Sequence, residues 1–151
     1  MIKLAGKADT KELNEIISKE FPYKAFSPEK LDNRMVNPGI VIFKKTVGKK
    51  FAGFIEIEFK EGIGLINALS VKKGFRRKGY GKELLEHAIL FLKNNQVEQA
   101  RLLVKKENET AKKLYQTTGF IFRGIHGKKI EDSTVEIWER NLQEEDIDYL
   151  N

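Results

Sequence analysis

The sequence predicts a single domain of the mixed α+β class. Three observations predict it. Apolar residues recur at helical spacing near the start, where Leu13, Ile16 and Ile17 share a face. From Gly39 the period falls to two, and GIVIFKKTV, FAGFIEIEF and IGLINALSV follow one another with only GKK and KEG between them. Helices and strands then alternate to the end.

Taken in order, IKLA forms a short strand, and Asp9 or Thr10 caps a helix through KELNEIISKEF. Ser27-Pro28-Glu29 places a cap residue before proline at a first helical position, so a second short helix runs to about residue 36. Asn37-Pro38-Gly39 is a turn. The three period-two segments form consecutive antiparallel strands. A helix then starts at Tyr80 or Gly81 and buries Leu84, Leu85, Ala88, Ile89 and Leu92, leaving Glu83, Glu86, His87 and Lys93 on its polar side. ARLLVKK is a strand, NETAKKLYQTTG a short helix closed by Gly119, and FIFRGI with STVEIWERNL a final strand pair. The expected order is β-α-α-β-β-β-α-β-α-β-β.

The chain has 151 residues, the size of one domain with a real core. It holds no repeat or linker-like tract, so residues 1–151 are read as one domain with an acidic tail, QEEDIDYLN, over 143–151. No apolar run approaches the ~20 residues of a membrane span, and MIKLAGKADTKEL has no long apolar segment of a secretory signal. With no cysteine, disulfides, thiolate metal sites and a cysteine nucleophile are excluded. His87 and His126 are the only histidines, so no metal centre is expected. A cytoplasmic protein is the expectation.

The net charge of +6 is local. Lys72, Lys73, Arg76, Arg77, Lys78 and Lys82 are six cations with no acid among residues 72 to 82, which equals the whole-chain excess. A general nucleic-acid binder spreads its basic residues over a face; here they crowd a glycine-rich turn before a helix. The first turn of that helix leaves N–H groups without partners, and its dipole favours an anion. Gly79 and Gly81 let a ligand approach the backbone. The assembly suits a phosphate or diphosphate. It is neither a P-loop nor a dinucleotide fingerprint, since Tyr80 stands where the P-loop lysine belongs.

What the turn does match is R-x-x-G-x-G, at Arg76, Gly79 and Gly81. This resembles the acyl-CoA signature of the GNAT superfamily of N-acetyltransferases. Downstream, NETAKKLYQTTGF is similar to that family's N-x-x-A-x-x-x-Y-x-x-x-G-F segment, with Asn108, Ala111 and Tyr115 along one helical face. The resemblance spans nearly all of residues 1–142.

The resemblance implies a mostly antiparallel sheet with one splayed parallel strand pair, and transfer of an acetyl group from acetyl-CoA to an amine that attacks the thioester directly. Backbone groups near Leu69 and Val71 would pair with pantetheine and favour the oxyanion. Arg76, Arg77, Lys78, Gly79, Tyr80, Gly81 and Lys82 would hold the diphosphate, with Asn108 and Ala111 beside the cofactor. Tyr115 is the candidate general acid. A phenol of pKa about 10 donating to a thiolate whose acid lies near 8.5 is uphill by roughly 2 kcal/mol. Many relatives carry a glutamate where Asn67 stands; Asn67 would orient a water or the substrate. Glu56 and Glu58 are alternatives, read mainly as a solvated strand face. His126 reads as a solvated turn residue and Trp138 as core. The acceptor side falls to Phe21–Phe26 and the last hairpin, for a protein N-terminus, a lysine or a small amine. Monomer and homodimer both remain open. A non-catalytic acyl-CoA-binding domain and a nucleic-acid-binding module are the competing readings.

Overall fold

A computed structural model describes residues 1–22 and 28–143. Its strands are β1 (Ile2–Leu4), β2 (Ile40–Val47), β3 (Lys50–Lys60), β4 (Ile63–Val71), β5 (Gln99–Lys105), β6 (Ile121–Ile125) and β7 (Val135–Asn141). The helices are α1 (Thr10–Glu20), α2 (Pro28–Val36), α3 (Tyr80–Asn94) and α4 (Glu109–Thr117). This is the expected order, with short 3-10 turns added at Lys7–Asp9 and Lys73–Phe75. The Ser27 cap, Tyr23, Phe26 and the tail beyond Gln143 lie outside the described residues.

The strands make one sheet ordered β1-β2-β3-β4-β5-β7-β6, in which β4 and β5 are the only parallel neighbours among the described residues. Alternation along β3 assigns its two faces. Ile55 and Ile57 join a core with the α3 stripe, Leu84, Leu85, Ala88, Ile89 and Leu92. Phe54 turns the other way, into a second core with Leu13, Ile16 and Ile17 of α1 and Leu31 of α2. Gly64 lets α3 settle onto β4, since a Cβ there would lie 2.6 Å from a Leu92 methyl carbon.

Two irregularities shape the site. Glu56 is opposite Ala68 but Ile57 is opposite Ile66, so Asn67 is an extra residue bulging from β4. The parallel pairing of β4 with β5 runs from Ile63↔Gln99 only to Ile66↔Leu102. From Asn67 onward the strands part, as the resemblance implies.

One local expectation is corrected. Asp9 occupies the cap position of α1 without a side-chain capping bond; its carboxylate instead accepts from Gly6 N–H and Lys44 Nζ. Thr10 Oγ1 donates to Asp32 at 2.7 Å and ties α1 to α2.

Candidate active site

A cavity of about 510 Å³ fills the gap between the diverging strands. Asn67 and Leu69 line it from β4, Leu103 and Lys105 from β5, and Asn108, Ala111 and Tyr115 from the α4 segment. Glu20, Phe21, His126 and Ile130 close its outer side.

Lys72 N–H donates to Ala52 O at 2.7 Å at the end of the β3–β4 ladder. Backbone direction alternates along an antiparallel strand, so Leu69 and Val71 turn their N–H and C=O groups away from β3, into the gap. Among the described residues no strand takes them there, because pairing with β5 has ended. The Val71 carbonyl already accepts from Arg76 Nε at 2.9 Å. A ligand lying along this edge therefore meets the backbone of Leu69 first. The side chains of Leu69 and Val71 pack on the α3 core.

The basic turn sits at the end of the same edge. Arg77 and Gly79 have φ of 64° and 82°, left-handed backbone that turns the chain sharply into the start of α3. Among the described residues, the N–H groups of residues 77 to 82 have no backbone acceptor; the first helical bond runs from Glu83 N to Gly79 O at 3.0 Å. The cations differ in what holds them. Arg76 pairs with Glu20 at 2.6 Å, Lys72 with Glu12, and Lys82 stands 3.8 Å from Glu86. Arg77 and Lys78 carry no ion pair among the described residues. The Tyr80 ring lies 4.9 Å below Lys45 Nζ, so its side chain faces β2 and only its backbone belongs to the turn. Lys45 also bonds Glu83 at 2.8 Å, which raises its pKa above the ordinary value.

Asn108 caps α4 by accepting from Ala111 N–H at 3.2 Å. Two turns on from Asn108, Tyr115 is buried, with Phe120 packed on its ring. Lys112 is bonded to Glu136 of β7 at 3.4 Å, and Glu136 accepts from Trp138 Nε1 at 3.0 Å. That chain fixes α4, and with it Tyr115, against the sheet; Trp138 is core, as expected.

Glu56 departs from the expected solvated strand face. It is only 4% exposed, and Arg34 of α2 clasps it through Nε at 3.0 Å and Nη2 at 2.5 Å. The pair holds the Arg34 pKa above its ordinary value. Asn67 donates from Nδ2 to Glu56 at 3.0 Å and to Glu58 at 2.8 Å. A carboxylate so engaged is a scaffold for the bulge. Asn67, Phe21 and Ala68 also line a second cavity of about 250 Å³ with Arg34 and Glu56, beside the first.

A family model for the acetyltransferase (GNAT) domain matches residues 7–132. The chain belongs to the GNAT family. Its fold is also that of solved GNAT structures. A PaiA N-acetyltransferase from Thermoplasma acidophilum, in complex with coenzyme A, is 22% identical with a TM-score of 0.81, over 93% of this chain and 98% of that one. The ribosomal-protein-S18-alanine N-acetyltransferase from Escherichia coli is 21% identical, TM-score 0.81, over 94% and 93%. A spermidine N-acetyltransferase SpeG chimera from Vibrio cholerae and hSSAT is 16% identical, TM-score 0.82, over 95% and 97%.

In this GNAT domain, sequence reasoning did not find Glu20 or Arg34, and it left His126 as a solvated turn. His126 is half-buried at the cavity. Its hairpin is pinned by Lys105–Glu131 at 2.7 Å and by the Ser133–Glu107 hydrogen bond. No periodicity encodes those contacts. No helix among the described residues is long and apolar enough to cross a membrane.

Proposed function

We propose that this GNAT domain is an N-acetyltransferase that moves an acetyl group from acetyl-CoA to an amine by direct attack on the thioester. The observation that carries the reading is the open β4 edge at Leu69, with the bare N–H groups of the basic turn at one end and Tyr115 within the same cavity. An extended pantetheine arm adds to such an edge as a strand does. The diphosphate takes the N–H groups of residues 77 to 82, with Arg76, Arg77, Lys78 and Lys82 supplying charge. These are charge-assisted hydrogen bonds, each worth about 1.5–3 kcal/mol.

The residues then divide the chemistry. The Leu69 N–H stabilises the oxygen of the thioester as negative charge develops on it. The amine nitrogen forms its bond to the acetyl carbon, the carbon–sulfur bond breaks, and the Tyr115 hydroxyl gives its proton to the departing thiolate. The amine sheds its proton to water, because Glu56 is tied to Arg34. Losing that proton at pH 7 costs about 4.6 kcal/mol for a lysine-like amine and about 1.4 for an α-amine near pKa 8. With Glu56 clasped by Arg34 and Glu58 held by Asn67 Nδ2 at 2.8 Å, a weak or water-relayed base favours an α-amine, as at a protein N-terminus.

The alternative of a non-catalytic acyl-CoA-binding domain draws on that same engaged carboxylate. One assay separates them: incubation with acetyl-CoA and a panel of peptides, lysine derivatives and polyamines, following free thiol. Turnover with a peptide N-terminus, abolished by Tyr115→Phe, supports the transferase. CoA binding without turnover on any acceptor supports the alternative.

A further inference from the structure

We propose that Glu20 is a built-in competitor for the cofactor diphosphate, holding Arg76 in the free protein and surrendering it on binding. The proposal rests on the reading that the basic turn takes the diphosphate. Arg76 is held at two of its nitrogens. Its Nε donates to the Val71 carbonyl at 2.9 Å, and its Nη2 donates to Glu20 at 2.6 Å. The first bond aligns the guanidinium along β4; the second points outward to another element. The Arg76 side chain is 47% exposed and that of Glu20 33%, so the pair is open to exchange at small cost. A diphosphate carries more charge than one carboxylate and accepts from a guanidinium bidentately. It can take the outer edge of Arg76 without disturbing the bond to Val71.

What Glu20 does elsewhere gives the exchange a consequence. It is the last residue of α1, and the helix ends where Phe21 N–H donates to Ile17 O. Glu20 and Phe21 both line the cavity between β4 and β5, and Phe21 also walls the smaller cavity beside Arg34 and Glu56. The first turn of α1 has its own tie to the basic segment, the Glu12–Lys72 pair, which the exchange leaves in place. Loss of the Arg76 bond therefore acts on the last turn of α1, where Phe21 packs on the second core, at the wall shared by both cavities. Glu20 is thus a positioning residue: cofactor binding frees the wall against which the acceptor must fit.

The test is CoA titration calorimetry on wild-type protein, Glu20→Gln and Glu15→Gln, with hydrogen exchange of residues 17 to 21. Glu15 is an exposed acid on the same helix and controls for the lost charge. Glu20→Gln is expected to bind CoA about three- to fivefold tighter, within what a partly exposed pair supplies, and Glu15→Gln within twofold of wild type. CoA should speed exchange at residues 17 to 21 in the wild type, whereas in Glu20→Gln exchange should already be fast. Unchanged or weaker binding by Glu20→Gln, alongside a wild type that binds CoA, overturns the exchange alone. So does equal tightening by Glu15→Gln. A wild type that does not bind CoA overturns the reading of the site as well.

Discussion

Ile66 and Leu102 are the last residues to pair across the parallel strands β4 and β5. One residue later Asn67 bulges, and the gap that opens is floored by the α4 segment. If that gap is the cofactor groove, filling it must block binding without unfolding the protein. Ala111, half-buried at the gap, is the position to fill. Ala111→Trp is expected to weaken CoA binding at least about 100-fold, which is ~2.7 kcal/mol, in calorimetry. Its melting temperature should stay within a few degrees of wild type.

Tyr115 separates chemistry from binding. Tyr115→Phe keeps the ring on Phe120 and removes only the proton donor. Its kcat should fall by about 10²–10⁴, the usual contribution of a positioned acid, while the Kd for CoA changes less than about twofold. Steady-state kinetics with calorimetry on one preparation checks both.

At Gly79 the backbone itself is the functional part. Its φ of 82° is left-handed, and a Cβ would meet nothing within 4 Å. Gly79→Ala therefore costs conformational strain alone, about 1–2 kcal/mol, read from urea denaturation. Because strain relief turns the N–H groups away, CoA binding should weaken in the same variant.

The Arg34–Glu56 pair spans α2 and β3, with side-chain exposures of 27% and 6%. Arg34→Met takes the guanidinium from the Glu56 carboxylate, the more buried of the two charges. Arg34→Met alone should lose about 3 kcal/mol, and the double variant Arg34→Met/Glu56→Leu should recover most of it. Urea midpoints of the two single variants and the double variant close the cycle. A double variant as unstable as the singles would refute the pairing.

Lys45 supplies the pH dependence. The Glu83 hydrogen bond is the largest cause raising its pKa above 10.5. A group raised in the folded state contributes stability that is whole below its unfolded pKa and is lost as pH climbs through the folded value. Lys45→Met should therefore lose stability at pH 8 and lose less than wild type between pH 8 and 11. Denaturant midpoints at the two pH values measure the difference.

Much of this was legible in the chain. The stripe of Leu84, Leu85, Ala88, Ile89 and Leu92 marks α3 because helical spacing is a local property, and all five are buried. Arg76, Gly79 and Gly81 mark the turn because phosphate binding at a helix start is local too. What stayed hidden depends on distant segments. Arg76 and Glu20 are 56 residues apart, and Arg34 and Glu56 are 22 apart. Glu56 alternates with apolar neighbours as a solvated residue would; only α2 packed over that face makes it a buried ion-pair partner. His126 lies in a glycine-flanked hairpin whose fold rests on Lys105 and Glu107, both far upstream.

The most direct test of the account is a crystal structure of the protein soaked with CoA. The account predicts the diphosphate on the N–H groups of residues 77 to 82 and pantetheine running along Leu69 toward Tyr115. CoA bound on another surface, or a β4–β5 gap left empty at saturating CoA, would contradict it.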